Sequence, residues 1–148
     1  MANSGVKGKR LLNKNDIQRL AQLRLEDAIY LYQRERASSA YYLAGYAVEL
    51  AIKACAAKLF QPNSIPDKNL VATLYTHNLG QLMSASGLEP ALKEATKHDS
   101  LLAANWGVVS KWNEASRYKL WDSVSAASLI TAIEDPDHGV FTWVKGHW

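Results

Sequence analysis

Apolar residues occupy almost every face of the stretch from residue 37 to residue 60, ASSAYYLAGYAVELAIKACAAKLF, and between residues 40 and 57 only Glu49 and Lys53 are charged. A segment that is apolar all round reads as a helix enclosed by other helices. The pattern predicts a central helix over about residues 38–60. Ala40, Ala44, Ala47, Ala51 and Ala54 recur at three- and four-residue spacing, which keeps one side thin enough for a neighbouring helix to approach closely. Leu43, Val48, Leu50 and Ile52 supply volume on the remaining sides.

The flanking patterns are shorter. After an N-cap at Asn15 or Asp16, the residues Ile17, Leu20, Ala21, Ala28, Leu31 and Tyr32 recur at helical spacing through Glu35, predicting a first helix that pairs with the central one as an antiparallel hairpin. Ser38 or Ser39 is expected to start the second member. Residues 61–76 are turn-rich, with Pro62, Asn63, Ser64, Pro66, Asp67 and Asn69, and leave room for one short apolar turn at 70–74. A short helix then opens at His77 and stops at Gly87. Residues 89–98 and 100–112 predict a third helical region, broken near Asp99, with Leu88, Leu92, Ala95, Leu101 and Leu102 facing inward. Ser123 or Ser125 opens the last long helix, where Val124, Ala127, Leu129, Ile130 and Ile133 are periodic until Asp135-Pro136 interrupts. Beyond Gly139, Val140, Phe141, Trp143, Val144 and Trp148 form a short amphipathic tail expected to dock on the bundle or on a second copy. No hairpin signal occurs. The expected fold is all-α, an antiparallel bundle of four to five helices.

Charge changes the picture in one respect. The formal net charge is +3, but Lys7, Lys9, Arg10 and Lys14 lie in the first fifteen residues, and the 13 basic and 14 acidic residues that follow leave the body at −1. The division is a flexible basic tail at 1–15 and a near-neutral bundle at 16–148. A near-neutral body argues against a broad duplex-binding face and leaves open a local phosphate site. The single cysteine, Cys55, sits in the apolar helix and reads as packing. No signal-peptide pattern or membrane-length apolar run is present, so the cytoplasm is the expected location and no membrane partner is expected.

Candidate chemistry is sparse. Spacings for dinucleotide, P-loop, zinc-protease, nucleophile-elbow and paired-cysteine sites are all missing. His77, His98, His138 and His147 have no second histidine at helical metal spacing, so neither a metal nor a cofactor is expected. Gly45, Glu49 and Lys53 are four apart and share one stripe of the central helix. Two readings stand: a solvent-facing ion pair, or an enclosed pair marking a site. Gly45 inside a helix suggests close approach of a backbone or a ligand. His77 could bond the start of its helix or meet an Arg. Trp106, Trp112, Tyr118 and Trp121 interleave with Lys111, Arg117 and Lys119, as core aromatics or as a base-stacking surface.

In order along the chain, Arg24 to Asp27-Ala28, the run Ala40-Tyr41 through Val48-Glu49 to Lys53-Ala54, Thr76-His77-Asn78-Leu79, and Arg117-Tyr118 together resemble a HEPN domain over most of residues 16–148. The resemblance implies a helical bundle, usually a homodimer, that handles nucleotides or RNA, often encoded beside a minimal nucleotidyltransferase. Some members are toxins of toxin–antitoxin or defence systems that cut RNA without metal, using an Arg and a His four to six residues apart. There the Arg steadies the phosphorane charge and the His moves a proton. Here the positions where that His would fall after Arg117 are Asp122, Ser123 and Val124. The expectation is therefore a non-catalytic dimeric module binding a nucleotide, RNA or protein partner. Its ligand-binding candidates are Glu49, Lys53, His77, Arg117 and Tyr118, with no catalytic residue assigned. The alternatives are a ribonuclease or toxin with a displaced base, such as His77, and a structural adaptor for a nucleotidyltransferase. An Arg117 bound to Glu49 inside one subunit would favour a structural role, and an Arg117 in a basic, concave dimer groove would favour nucleotide or RNA binding.

Overall fold

The computed structural model describes residues 13–148, and the tail expected at 1–15 falls outside them up to residue 12. Asn13 caps α1 (Lys14–Gln33), its side-chain oxygen accepting from the Asp16 backbone N–H at 2.9 Å. The helix thus starts before the expected caps, because Asn13 already satisfies an orphan donor of the first turn. Glu35, at φ +62°, ends the first hairpin arm. The N–H of Arg36 bonds the Leu31 carbonyl and that of Glu35 the Tyr32 carbonyl, the paired reverse bonds of a left-handed helix stop. The central helix α2 (Ala37–Ala56) follows at once and continues in a 3₁₀ turn at Ala57–Leu59. Ser38 does not cap it, since its hydroxyl accepts the Trp121 backbone N–H at 2.8 Å.

Five short to medium helices complete the body: α3 (Lys68–Leu74), α4 (Leu79–Ala85), α5 (Glu89–His98), α6 (Ser100–Val109) and α7 (Ser123–Glu134). The last helix, α8 (Val140–Lys145), closes the chain. The architecture is all-α, with no strand among the described residues and five helices of ten residues or more. α2 packs against α1, α4, α7, α8 and the turn at Glu114–Tyr118, so the apolar helix is central in space as well as in sequence. The alanine stripe carries that packing, with Ala40, Ala44, Ala47, Ala51 and Ala54 all at zero exposure.

Several periodic residues face outward. Leu101 and Val124 are 57% and 77% exposed, whereas Leu102 and Ala126 are buried. Asp99 caps α6 and Asp122 caps α7; adjacent residues lie about 100° apart around the axis and residues two apart about 200°, so the packing that buries Leu102 and Ala126 turns Leu101 and Val124 outward. Leu20 is half-exposed while Leu25 is buried. The tail docks on the bundle, with Val140, Phe141 and Val144 buried and the Trp148 indole N–H donating to the Ala51 carbonyl at 3.1 Å. Cys55 is buried packing; burial pushes its thiol pKa up.

Asp99 does more than cap α6. Its carboxylate lies 2.8 Å from His138 Nδ1, tying the start of α6 to the turn before α8. The hydrogen bond to His138, followed by the Leu102 backbone N–H, holds the Asp99 pKa down; the bond to Asp99 pushes His138 up. For histidine, the stabilisation is complete below the unfolded value of about 6.5 and is lost as pH rises through the folded value; for aspartate it is present above about 3.9 and lost as pH falls through the folded value. The melting-temperature difference between wild type and His138→Gln should therefore be largest near pH 5 to 6 and shrink by pH 9. Thermal melts across that range check it, and a difference that does not vary with pH contradicts it.

Candidate functional site

The site starts from a missing side chain. Gly45 is buried, and a methyl group there would overlap the indole ring of Trp112. The flat ring lies against the helix backbone, which explains a helix-interior glycine without any ligand. The stripe is therefore enclosed at Gly45 and Glu49 and opens toward solvent at Lys53, which is partly exposed. Glu49 is 1% exposed.

A buried carboxylate persists only with partners, and Glu49 has two. Lys53 Nζ donates to Oε2 at 3.1 Å, and His77 Nδ1 lies 2.9 Å from Oε1. His77 is delivered from the strap before α4. Asn78 caps that helix by accepting the Gln81 N–H, the Thr76 hydroxyl donates to Gln81 Oε1, and buried Leu79 anchors the first turn. α4 therefore begins two residues later than the expected start at His77, and the imidazole meets carboxylates in place of backbone or an Arg.

The other wall is the 3₁₀ turn at Glu114–Tyr118. Asn113 caps it, the Trp121 indole donates to the Ser116 carbonyl at 3.0 Å, and Trp121 stacks on Tyr41 with ring centroids 3.7 Å apart. The fixed turn carries Glu114 and Arg117 to the mouth of the site. His77 Nε2 lies 3.2 Å from Glu114 Oε2, and Arg117 Nη1 lies 3.8 Å from the same oxygen. A continuous chain of polar contacts therefore runs Lys53, Glu49, His77, Glu114, Arg117. The Nδ1 contact with Glu49 has hydrogen-bond geometry, whereas the Nε2 and Arg117 contacts with Glu114 are close approaches without it.

Arg117 sits beside Tyr118, its guanidinium carbon 4.8 Å from the ring centroid. Hydrogen bonds to the phenols of Tyr118 and Tyr42 push its pKa further up, so its charge is permanent. It also lines a cleft of about 390 Å³ with Leu31, Ser38, Ser39, Tyr42 and Leu43. At the opposite end Lys53 borders an apolar cleft of about 280 Å³ with Ile17, Phe60, Val71, Leu74 and Tyr75.

Four of the five sequence candidates, Glu49, Lys53, His77 and Arg117, thus belong to one network, and Tyr118 joins through Arg117. Arg117 reaches Glu114 and not Glu49. The link that sequence reasoning missed is Glu114, three residues before Arg117, the i, i+3 spacing at which opposite charges meet on one turn. The interleaved aromatics divide: Trp112 is buried and Trp121 half-buried, while Tyr118 is 77% exposed. Among the described residues, no group of three His, Cys, Asp or Glu side chains is placed to hold a metal ion, and no helix is long and apolar enough to cross a membrane.

Chemically, the arrangement offers a fixed guanidinium and an imidazole converging on one anionic oxygen. The imidazole is oriented from behind by a buried carboxylate, the placement that poises a ring for proton transfer. Comparison of the chain with protein-family models, with curated proteins and with solved structures finds no match.

Proposed function

We propose that this chain is a HEPN-like, non-catalytic module that binds the phosphate of a nucleotide or single-stranded RNA at the His77 and Arg117 mouth. The observation that carries the reading is the convergence of His77 Nε2 and Arg117 Nη1 on a single carboxylate oxygen, at 3.2 and 3.8 Å. Two nitrogens gathered around one carboxylate oxygen suit a phosphate oxygen equally well. The exposed ring of Tyr118 beside Arg117 supplies a face on which a base can stack. A homodimer belongs to the same reading, and it would cover Leu120 and Val124, exposed apolar residues beyond Tyr118. So does a nucleotidyltransferase partner, for which the chain would otherwise serve as a structural adaptor.

The second reading is a metal-independent ribonuclease or toxin. One observation favours it: His77, held at 2.9 Å by buried Glu49, can replace the histidine missing after Arg117. One experiment separates the two. Fluorescence anisotropy of a labelled single-stranded RNA, with EDTA present, should show binding that weakens about tenfold in Arg117→Ala, the loss of one charge-assisted contact. The same samples run on a denaturing gel should show intact RNA. Cleavage abolished by His77→Ala would install the second reading, and wild type that neither binds nor cleaves would sink both.

A further inference from the structure

Glu114 occupies the place where the proposed phosphate would sit. We infer that its carboxylate is an exchangeable internal occupant of the anion subsite, held by His77 and Arg117 until a phosphate displaces it. The inference rests on the phosphate-binding reading above and adds a closed state to it.

The two carboxylates that flank His77 are not equivalent. Glu49 is buried at 1% exposure, comes from the middle of α2, and is held by both Lys53 and His77. It has nowhere to go. Glu114 is 44% exposed at the side chain and stands at the first position of a short turn open to solvent. Asn113, Ser116 and Trp121 fix the backbone of that turn without touching the Glu114 carboxylate. Swinging the side chain outward therefore breaks only its contacts with His77 and Arg117. Exposed ion pairs of this kind are weak, and a carboxylate leaving them is rehydrated.

The groups left behind are already arranged. Arg117 keeps its phenol partners, Tyr118 and Tyr42, and His77 keeps Glu49. An incoming phosphate presents several oxygens and up to two negative charges where Glu114 presents one charge, and it can take both donors at once. The expelled carboxylate then repels the bound anion, so Glu114 lowers apparent affinity both by occupancy and by charge. If the closed form holds about nine molecules in ten, affinity is reduced about tenfold.

Calorimetric titration of the full chain with inorganic phosphate tests this, using wild type, Glu114→Gln and Glu114→Gln with Arg117→Ala, alongside RNA anisotropy on the same proteins. The expected result is phosphate binding about tenfold tighter in Glu114→Gln, with the gain lost when Arg117→Ala is added. Equal or weaker phosphate binding in Glu114→Gln, with wild type still binding RNA through Arg117, overturns the exchangeable carboxylate and leaves the binding module standing. A gain that survives Arg117→Ala reflects general charge and overturns it too. Failure of every variant to bind phosphate or RNA overturns both.

Discussion

Gly45→Ala lowers the stability of this protein by about 3 kcal/mol, although in an open helix the same change stabilises by about 1 kcal/mol. The reversal comes from Trp112. Its ring lies where the alanine methyl would be, and a ring face has no flexible end that can give way. Accommodating the methyl means moving α2 away from the segment after α6 or turning the indole out of a site where it is 2% exposed. Trp112 also precedes the turn of Glu114 and Arg117 by two residues, so displacing it shifts one wall of the charged network. RNA binding should weaken along with stability. Urea denaturation gives the first effect as a lowered midpoint, and anisotropy gives the second. In Gly45→Ala with Trp112→Leu, the smaller side chain should leave the added methyl nearly neutral relative to Trp112→Leu alone, an interaction energy opposite in sign to the single-variant cost. A Gly45→Ala protein as stable as wild type would show that the indole does not hold this position.

The alternation of small and large residues in α2 made the centre of the fold readable, because enclosure leaves a mark on every face of a helix. It did not show what encloses each face. The stripe of Gly45, Glu49 and Lys53 looks like a solvated strip in one dimension, since a Glu and a Lys four apart form an ordinary surface pair. Its Gly45 and Glu49 positions are buried because Trp112 and His77, far along the chain, lie over them. No local pattern carries that information. Leu101 and Val124 fail for a different reason. Each lies in the first turn of its helix, where the apolar period does not fix which side packs until the helix meets the bundle. His77 was legible as a polar residue at a helix entrance, but its partners were not, and Glu114 was hidden among ordinary surface carboxylates. The members of the site were visible one at a time; the link between them exists only once the 3₁₀ turn folds against α2.

Glu49 tests whether that link serves the fold or the site. Glu49→Ala should cost about 3 kcal/mol: Lys53 and His77 each lose a hydrogen-bond partner and a small void is left beside α4. The loss should stay near the lower end for a broken buried pair, because Lys53 and His77 are 21% and 43% exposed at the side chain and can turn to water. Glu49→Leu separates the two roles. Leucine fills nearly the same volume without a charge to desolvate, and the partners it leaves behind, Lys53 and His77, are partly exposed and can turn to water. The leucine variant should therefore lose clearly less stability than Glu49→Ala, since it leaves no void. Its RNA affinity should nevertheless fall about tenfold, since His77 loses the carboxylate that aims Nε2 at the mouth. If Glu49→Leu binds RNA as wild type does, the buried carboxylate orients nothing that the ligand feels. If instead it is as unstable as Glu49→Ala, the charge pair is part of the packing of α2 against α4, and the polarity of the stripe is a feature of the fold before it is a feature of the site.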